Sequence, residues 1–456
     1  MNILPAIVFC AGSFFFCQIL FPRSRFCIKP LLCPLNWFLC LYLLQMVLVP
    51  LVVALVGPSS KFLPFMPSCA AINLALLMNT LAFGSFSVAV EMFHKKQSLV
   101  LMERFGVTAH SWFPPVWIIV VYAILGISGV ILRFGNVNNL IAYFIDPQSY
   151  LLGVQDNSGG SKTLAEAAPT FLLSFVPFTM ILLWCRDSYT KRQRKGLIQH
   201  VLPPGLIAIA ALSASLGGYS RAGFVIPMIA VAAVMAKRSM SGNWVRFVGL
   251  GVLVLVLVLI VSSYRLFVSA EGVKTAGLDL TDVSDLFQDY GTAPQYLGFL
   301  LQSTGYSENP ELGRVVISSA LSPVPILGKT FREHTGNSIY QKLLGREDQP
   351  DTFVGELFLD FSGFGVIVGF LGVGAIVAAL QNRFEKCSEP FEVYILQLVS
   401  VCISYFVVCG IEEVSQHFIL LFPVYFFLLY RFIKKKVSSR SDDKMKIERP
   451  GRFEAA

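Results

Sequence analysis

The sequence predicts an all-α, polytopic integral membrane protein, and three observations lead to that class. Apolar residues fill 55% of the 456 positions and charged residues only 14%, against about a quarter charged in soluble domains, and the mean hydropathy is +0.66. The apolar residues gather into about 11 stretches, each near the roughly 20 residues that a helix needs to cross the hydrocarbon core. One long polar interruption, roughly 265–355, separates the eighth stretch from the ninth. A protein that only packed helices in a bilayer would not need such a segment, so work on a water-soluble group is expected there.

In chain order the expected spans are 2–21, 35–56, 68–92, 113–133, 168–185, 200–217, 221–236, 246–264, 358–381, 392–410 and 416–432. The first has no basic residue before it and no small-residue cleavage site after it. It reads as a retained helix rather than a removed signal peptide. Lysines and arginines in short loops set the orientation. With the Lys434-Lys435-Lys436 tail inside, loops 22–34, 93–112, 186–199, 237–246 and 382–391 are inside too, and they carry 3, 3, 5, 3 and 2 basic residues. Adding 9 from Arg431 onward places 25 of the 36 basic residues on that side. The N-terminus and the long loop are then outside. The chain divides into eight spans over 1–264, the large loop over 265–357, three spans over 358–433 and a basic tail over 434–456.

The ten cysteines fall in expected helices or inside loops, and the large loop has none, so no disulfide framework or metal-binding Cys-x-x-Cys pair is implied. The net charge of +8 is mostly a topology signal, because 265–357 holds seven basic residues against twelve acidic ones. That balance excludes a nucleic-acid surface, and an anionic ligand there would be held by a few individually placed arginines. No internal repeat is visible, which weakens a transporter built on duplicated halves. Within the loop, Leu278, Val283, Leu286, Phe287 and Tyr290 lie near helical spacing, with Thr281 and Asp282 able to cap the start, which predicts a surface helix. Pro323 and Pro325 then break any continuing helix.

Three groups of residues carry candidate chemistry. Arg221 stands in the glycine-rich turn Ser215-Leu-Gly-Gly-Tyr-Ser-Arg-Ala-Gly-Phe, and Arg265 at the outer end of the eighth span. A guanidinium there either clamps a phosphate bidentately or snorkels to lipid headgroups. Lys329-Thr-Phe-Arg-Glu-His-Thr-Gly-Asn-Ser-Ile-Tyr gathers Arg332, His334, Asn337, Ser338 and Tyr340 within twelve residues. His334 could accept a hydroxyl proton while Arg332 holds an oxyanion, or the whole stretch is a solvated turn. Glu356 sits where the chain re-enters the membrane; it is either a functional acid or a first-turn helix cap favoured by the dipole. Arg133, Glu412 and Glu413 lie at other outer ends, and Gly365-Val-Ile-Val-Gly369 is a small-residue packing face.

The run Gly355-Glu356-Leu-Phe-Leu-Asp-Phe-Ser-Gly363-Phe-Gly365-Val-Ile-Val-Gly369, together with the turn Ser220-Arg221-Ala-Gly223, resembles the bacterial oligosaccharide repeat-unit polymerases of the Wzy type. Asp360 and Ser362 depart from the commoner Asn-Phe-Gly of that family. The resemblance implies a GT-C-like glycosyltransferase in the bacterial inner membrane, with the long loop periplasmic and the C-terminus cytoplasmic. It would join a glycan held on polyprenyl pyrophosphate to a hydroxyl of the next lipid-linked repeat unit, with no cofactor or metal. Expected partners are lipid-linked glycans, membrane lipids, a chain-length regulator and a flippase. Arg221 and Arg265 would clamp the pyrophosphate, Arg314 and Arg332 would help, and Glu356 or His334 would serve the acceptor hydroxyl, with Glu356 favoured as base. An O-antigen ligase-like transferase shares this layout, and a non-enzymatic exporter of lipid-linked sugars is a further alternative. Reporter fusions at residues 160 and 300 should both behave as exported; an inside signal at residue 300 would overturn the orientation.

Overall fold

The computed structural model describes residues 33–57, 67–96, 115–135, 138–139, 164–190, 206–207, 222–238, 293–303, 310–324, 328–344, 351–387, 389–421 and 423–428. Every regular element among them is helical. In order they are α1 (Pro34–Leu43), a π-helical turn (Leu44–Leu48), α2 (Val49–Val56), α3 (Cys69–Lys96), α4 (Val116–Phe134), α5 (Leu164–Leu173), α6 (Phe175–Thr190), α7 (Ala222–Arg238) and α8 (Ala293–Gln302). Then come α9 (Arg314–Leu321), α10 (Gly328–Phe331), a 3-10 turn (Arg332–His334), α11 (Gly336–Leu344), α12 (Phe353–Lys386), α13 (Pro390–Ser404), a second 3-10 turn (Tyr405–Val407) and α14 (Ile411–Leu420). Four helical stretches among the described residues are long and apolar enough to cross a bilayer: Cys69–Phe93, Val116–Phe134, Phe353–Lys386 and Pro390–Val407. The chain is an all-α membrane protein. The expected spans 2–21 and 246–264, most of 200–217, the 278–290 surface helix, Arg221, Arg265 and the basic tail lie outside the described residues.

Where expected spans and described helices overlap, local chemistry explains how they differ. The stretch 35–56 is continuous but carries a π turn, because Pro50 lacks an N–H and its ring would collide with the carbonyl four residues back. The expected 168–185 span is instead two helices meeting at Ser174, whose hydroxyl and N–H both donate to the Phe171 carbonyl. As the two prolines require, α9 stops at Leu321. The ninth span starts earlier than the expected 358, because Thr352 caps α12 by accepting from the Gly355 N–H. Glu356 is therefore a first-turn helical residue rather than the end of a loop.

The run over Phe353–Lys386 is interrupted at Ser362, whose φ of 55° and ψ of −154° are not helical. The break folds the chain back on itself. A methyl group on Gly369 would lie 2.4 Å from Leu357 Cδ1, and one on Gly365 would lie 2.6 Å from the Leu357 carbonyl oxygen. Twelve residues of straight helix would hold Leu357 and Gly369 about 18 Å apart. The two glycines thus serve close approach, as the sequence predicts, but against the preceding turns of their own element. Gly374 then meets α3 at Phe86 and Ala89.

Breaking the helix releases carbonyls that a straight helix would have used. Those of Leu359 and Asp360 accept from the N–H groups of Glu311 and Leu312, each at 3.1 Å. The Asp360 side chain completes the joint: Oδ1 accepts from the Val315 N–H at 3.0 Å and Oδ2 from the Val316 N–H at 2.7 Å. Asp360 is the N-terminal cap of α9, supplied from 45 residues away, since Gly313 at the cap position has no side chain to offer. Leu312 and Gly313 both take positive φ to make the turn.

Two apolar cores hold the bundle. In one, α1, α3, α8 and α12 meet, with Phe38 stacked on Phe86 at 3.7 Å and Phe353 against Phe406 at 4.5 Å. The other joins α4, α6 and α7 to α13 through Tyr122, Phe178, Phe391 and Phe427. Helix α13 is buried almost throughout and lies between them. Helix α4 turns Trp117, Val120, Ile124, Ile127 and Ile131 outward, a stripe suited to lipid.

Asp360→Ala should remove two charge-assisted caps at once and cost about 1–3 kcal/mol, read as a lowered unfolding midpoint of the purified protein. Asp360→Asn, which keeps one oxygen acceptor, should lose less.

Candidate functional site

The short helices α9 to α11 and the start of α12 carry the described candidates. Arg314 opens α9, and α10 with its 3-10 turn packs on that helix. Arg314 Nη2 reaches His334 Nε2 at 2.7 Å, and Arg314 Nη1 lies 3.6 Å from Glu311 Oε2. A guanidinium has only donors, so Nε2 must accept and a neutral His334 carries its proton on Nδ1. In this arrangement the Nε2 lone pair is occupied, and His334 orients Arg314 rather than waiting as a free base. Arg314, Arg332 and Lys329 are all exposed. Three cationic side chains therefore stand exposed, with the exposed Glu333 beside them, in a segment that is acidic as a whole.

Glu356 has a different setting. Its side chain is completely buried; Oε2 accepts from the Ile411 N–H at 2.5 Å, and Oε1 has no hydrogen-bond partner. Ile411 is the first residue of α14, so Glu356 caps another helix, just as Asp360 does one turn later. The two acids are four residues apart on one face of α12. A base must touch the hydroxyl it deprotonates, and Glu356 has no exposed atom here. In this structure the residue favoured as base by the sequence is buried and caps α14 through the Ile411 N–H.

Around Glu356 is a set of polar side chains that the sequence reading did not bring together. Asp351 is buried; its N–H donates to Asn337 Oδ1 at 2.6 Å, its Oδ1 accepts from the Thr352 N–H at 2.6 Å, and its Oδ2 has no partner. The Asn337 amide donates to Glu412 Oε2 at 3.0 Å and to Glu413 Oε1, while Ser322 Oγ donates to Glu412 Oε1 at 2.8 Å. Glycines make the room. A methyl group on Gly336 would lie 2.5 Å from Asp351 Oδ2, one on Gly355 2.5 Å from Asp351 Oδ1, and one on Gly410 2.8 Å from Glu356 Oε1. Asn337 appeared in the sequence only as part of a polar cluster and Asp351 only as one acid among twelve in the loop. The useful signal was an Asp next to a Thr cap, followed by two acids at helical spacing.

Among the described residues no group of three or more His, Cys, Asp or Glu side chains is arranged to hold a metal ion. No family model, curated protein or solved structure matches the chain.

Burial pushes the Asp351 carboxyl up from its ordinary 3.8 to about 7, against the lowering effect of the Thr352 N–H. A carboxyl raised in the folded state favours folding below its ordinary value and loses that contribution as pH rises through about 7. Thermal unfolding midpoints should therefore fall between about pH 4 and 7. Asp351→Asn should flatten that slope and raise the midpoint at neutral pH, since its amide can donate where the carboxylate could not.

Proposed function

We propose that this chain is a membrane glycosyltransferase that polymerises polyprenyl-pyrophosphate-linked oligosaccharide repeat units into a surface or exopolysaccharide. On this reading it is an inner-membrane enzyme of about 11 spans with a GT-C-like layout, acting on the periplasmic side. The observation that carries the reading is the exposed Arg314 held by His334, with Arg332 and Lys329 on the adjoining turn of the same outer segment. A leaving pyrophosphate is already acidic and needs charge stabilisation more than protonation, and preorganised guanidinium groups supply it.

His334 fixes the guanidinium by taking one of its donors, which lowers the cost of ordering it when an anion binds. The remaining donors of Arg314 and the free fork of Arg332 are suited to neighbouring phosphate oxygens. Arg221 and Arg265 are proposed as further pyrophosphate ligands. The acceptor hydroxyl needs little help from a base if the bond to the leaving group breaks early. Glu356 and Asp360 then act by holding α14 and α9, and through α9 the arginine, in place.

The test is polymerisation by purified protein in lipid nanodiscs supplied with polyprenyl-pyrophosphate-linked repeat units. Arg314→Ala should lower the rate about a hundredfold, the usual size of losing one preorganised donor, and Arg314→Lys should recover little, because an ammonium lacks the planar fork. His334→Gln should lose less than Arg314→Ala. Full polymerisation by Arg314→Ala would overturn the assignment, and binding of repeat units without transfer would favour an exporter.

A further inference from the structure

We propose that Asp351 and Glu356 form a proton-binding site in which one hydrogen ion is held between Asp351 Oδ2 and Glu356 Oε1. Each carboxyl has one oxygen committed to a backbone N–H and a second oxygen without a hydrogen bond of ordinary geometry, with the Ser319 hydroxyl of α9 approaching Glu356. The two unpartnered oxygens face the same glycine, lying 2.5 Å and 2.9 Å from the position a Gly336 methyl group would take. Both side chains are buried, at 1% and 0% exposure, so water does not satisfy those oxygens from outside. Unpaired buried acceptors are costly, and two charged carboxylates side by side repel each other strongly. A single proton relieves both problems. It turns one acceptor into a donor aimed at the other and leaves one negative charge, which the first N–H of α14 or of Thr352 can receive. Two carboxyls sharing one proton for this reason is an established pattern in buried acid pairs.

Among the described residues no basic side chain pairs with either acid. From α11, Tyr340 faces Asp351, and from α14 and the turn before it Glu413 and Cys409 face Glu356. Glu412 is engaged by Ser322 and Asn337, and Asp360 by the N–H groups of α9. From α9 itself comes the Ser319 hydroxyl, which accepts from the Gly336 N–H at 3.1 Å and has its own O–H to offer Glu356. None of these groups is basic. Arg314 pairs with Glu311 and Arg383 with Glu392, both away from the acid pair. Gly336 follows His334 by two residues and opens α11. Loss of the proton would therefore push apart the helix ends directly behind the Arg314 and His334 surface. The site stands whether or not the glycan reading is correct.

Infrared difference spectroscopy of the full-length protein in nanodiscs tests this by reading the C=O stretch of protonated carboxyl groups. Wild type at neutral pH should show one such band that moves on exchange into deuterated water. The band should vanish in Asp351→Asn and in Glu356→Gln alike, and survive in Glu413→Gln. Should the first two variants fail to fold, titration of wild type alone decides: a single band lost by release of one proton on raising the pH supports the site. Absence of the band from wild type at neutral pH overturns the proposal, as does its persistence in both folded single variants or its loss only in Glu413→Gln.

Discussion

The break at Ser362 is the constraint on which the joint between α12 and α9 depends. A continuous helix would bury the carbonyls of Leu359 and Asp360 in its own ladder and hold Leu357 far from Gly369. With the break, those carbonyls receive the 311–312 turn, and the turns before it lie on the helix that follows. A serine in that region of backbone space costs on the order of 1–3 kcal/mol. The joint offsets the cost with four long-range hydrogen bonds, two to carbonyls and two to the Asp360 carboxylate.

The same short segment supplies both acids that organise the neighbouring helices. Glu356 receives the N-terminus of α14 and Asp360 that of α9, so a single turn of α12 sets the positions of two helices distant in sequence. Unpaired first-turn N–H groups carry partial positive charge, and the two carboxyls accept from them without a basic residue. The basic residues are thereby left on the surface. This separation leaves Arg314, Arg332 and Lys329 exposed over a buried acidic interior built around Gly336 and Gly410.

Small residues take three distinct parts in this arrangement. Gly365 and Gly369 admit the folded-back turns, and Gly374 admits α3. Gly336, Gly355 and Gly410 admit carboxyl oxygens where any side chain would collide with them. In lipid, where apolar attraction between helices is weak, close approach through small residues is a main source of packing. Here it also sets how near two acids come to each other.

By itself the sequence determined the class of this protein and most element positions within the described residues. Spans near 68–92, 113–133 and 392–410 are legible because a helix that crosses a bilayer needs a long apolar run. Proline placed the end of α9, and composition gave the acidic balance of the loop. The tertiary structure decided which polar groups meet. Nothing local to Asp360 names Val315 as its partner, and nothing local to Asp351 says that it shares a glycine with Glu356. Helix periodicity reports which face a residue occupies, but not what stands opposite it. The partners are chosen by chain folding at Ser362, where a departure from helical dihedrals in one residue redirects every contact that follows.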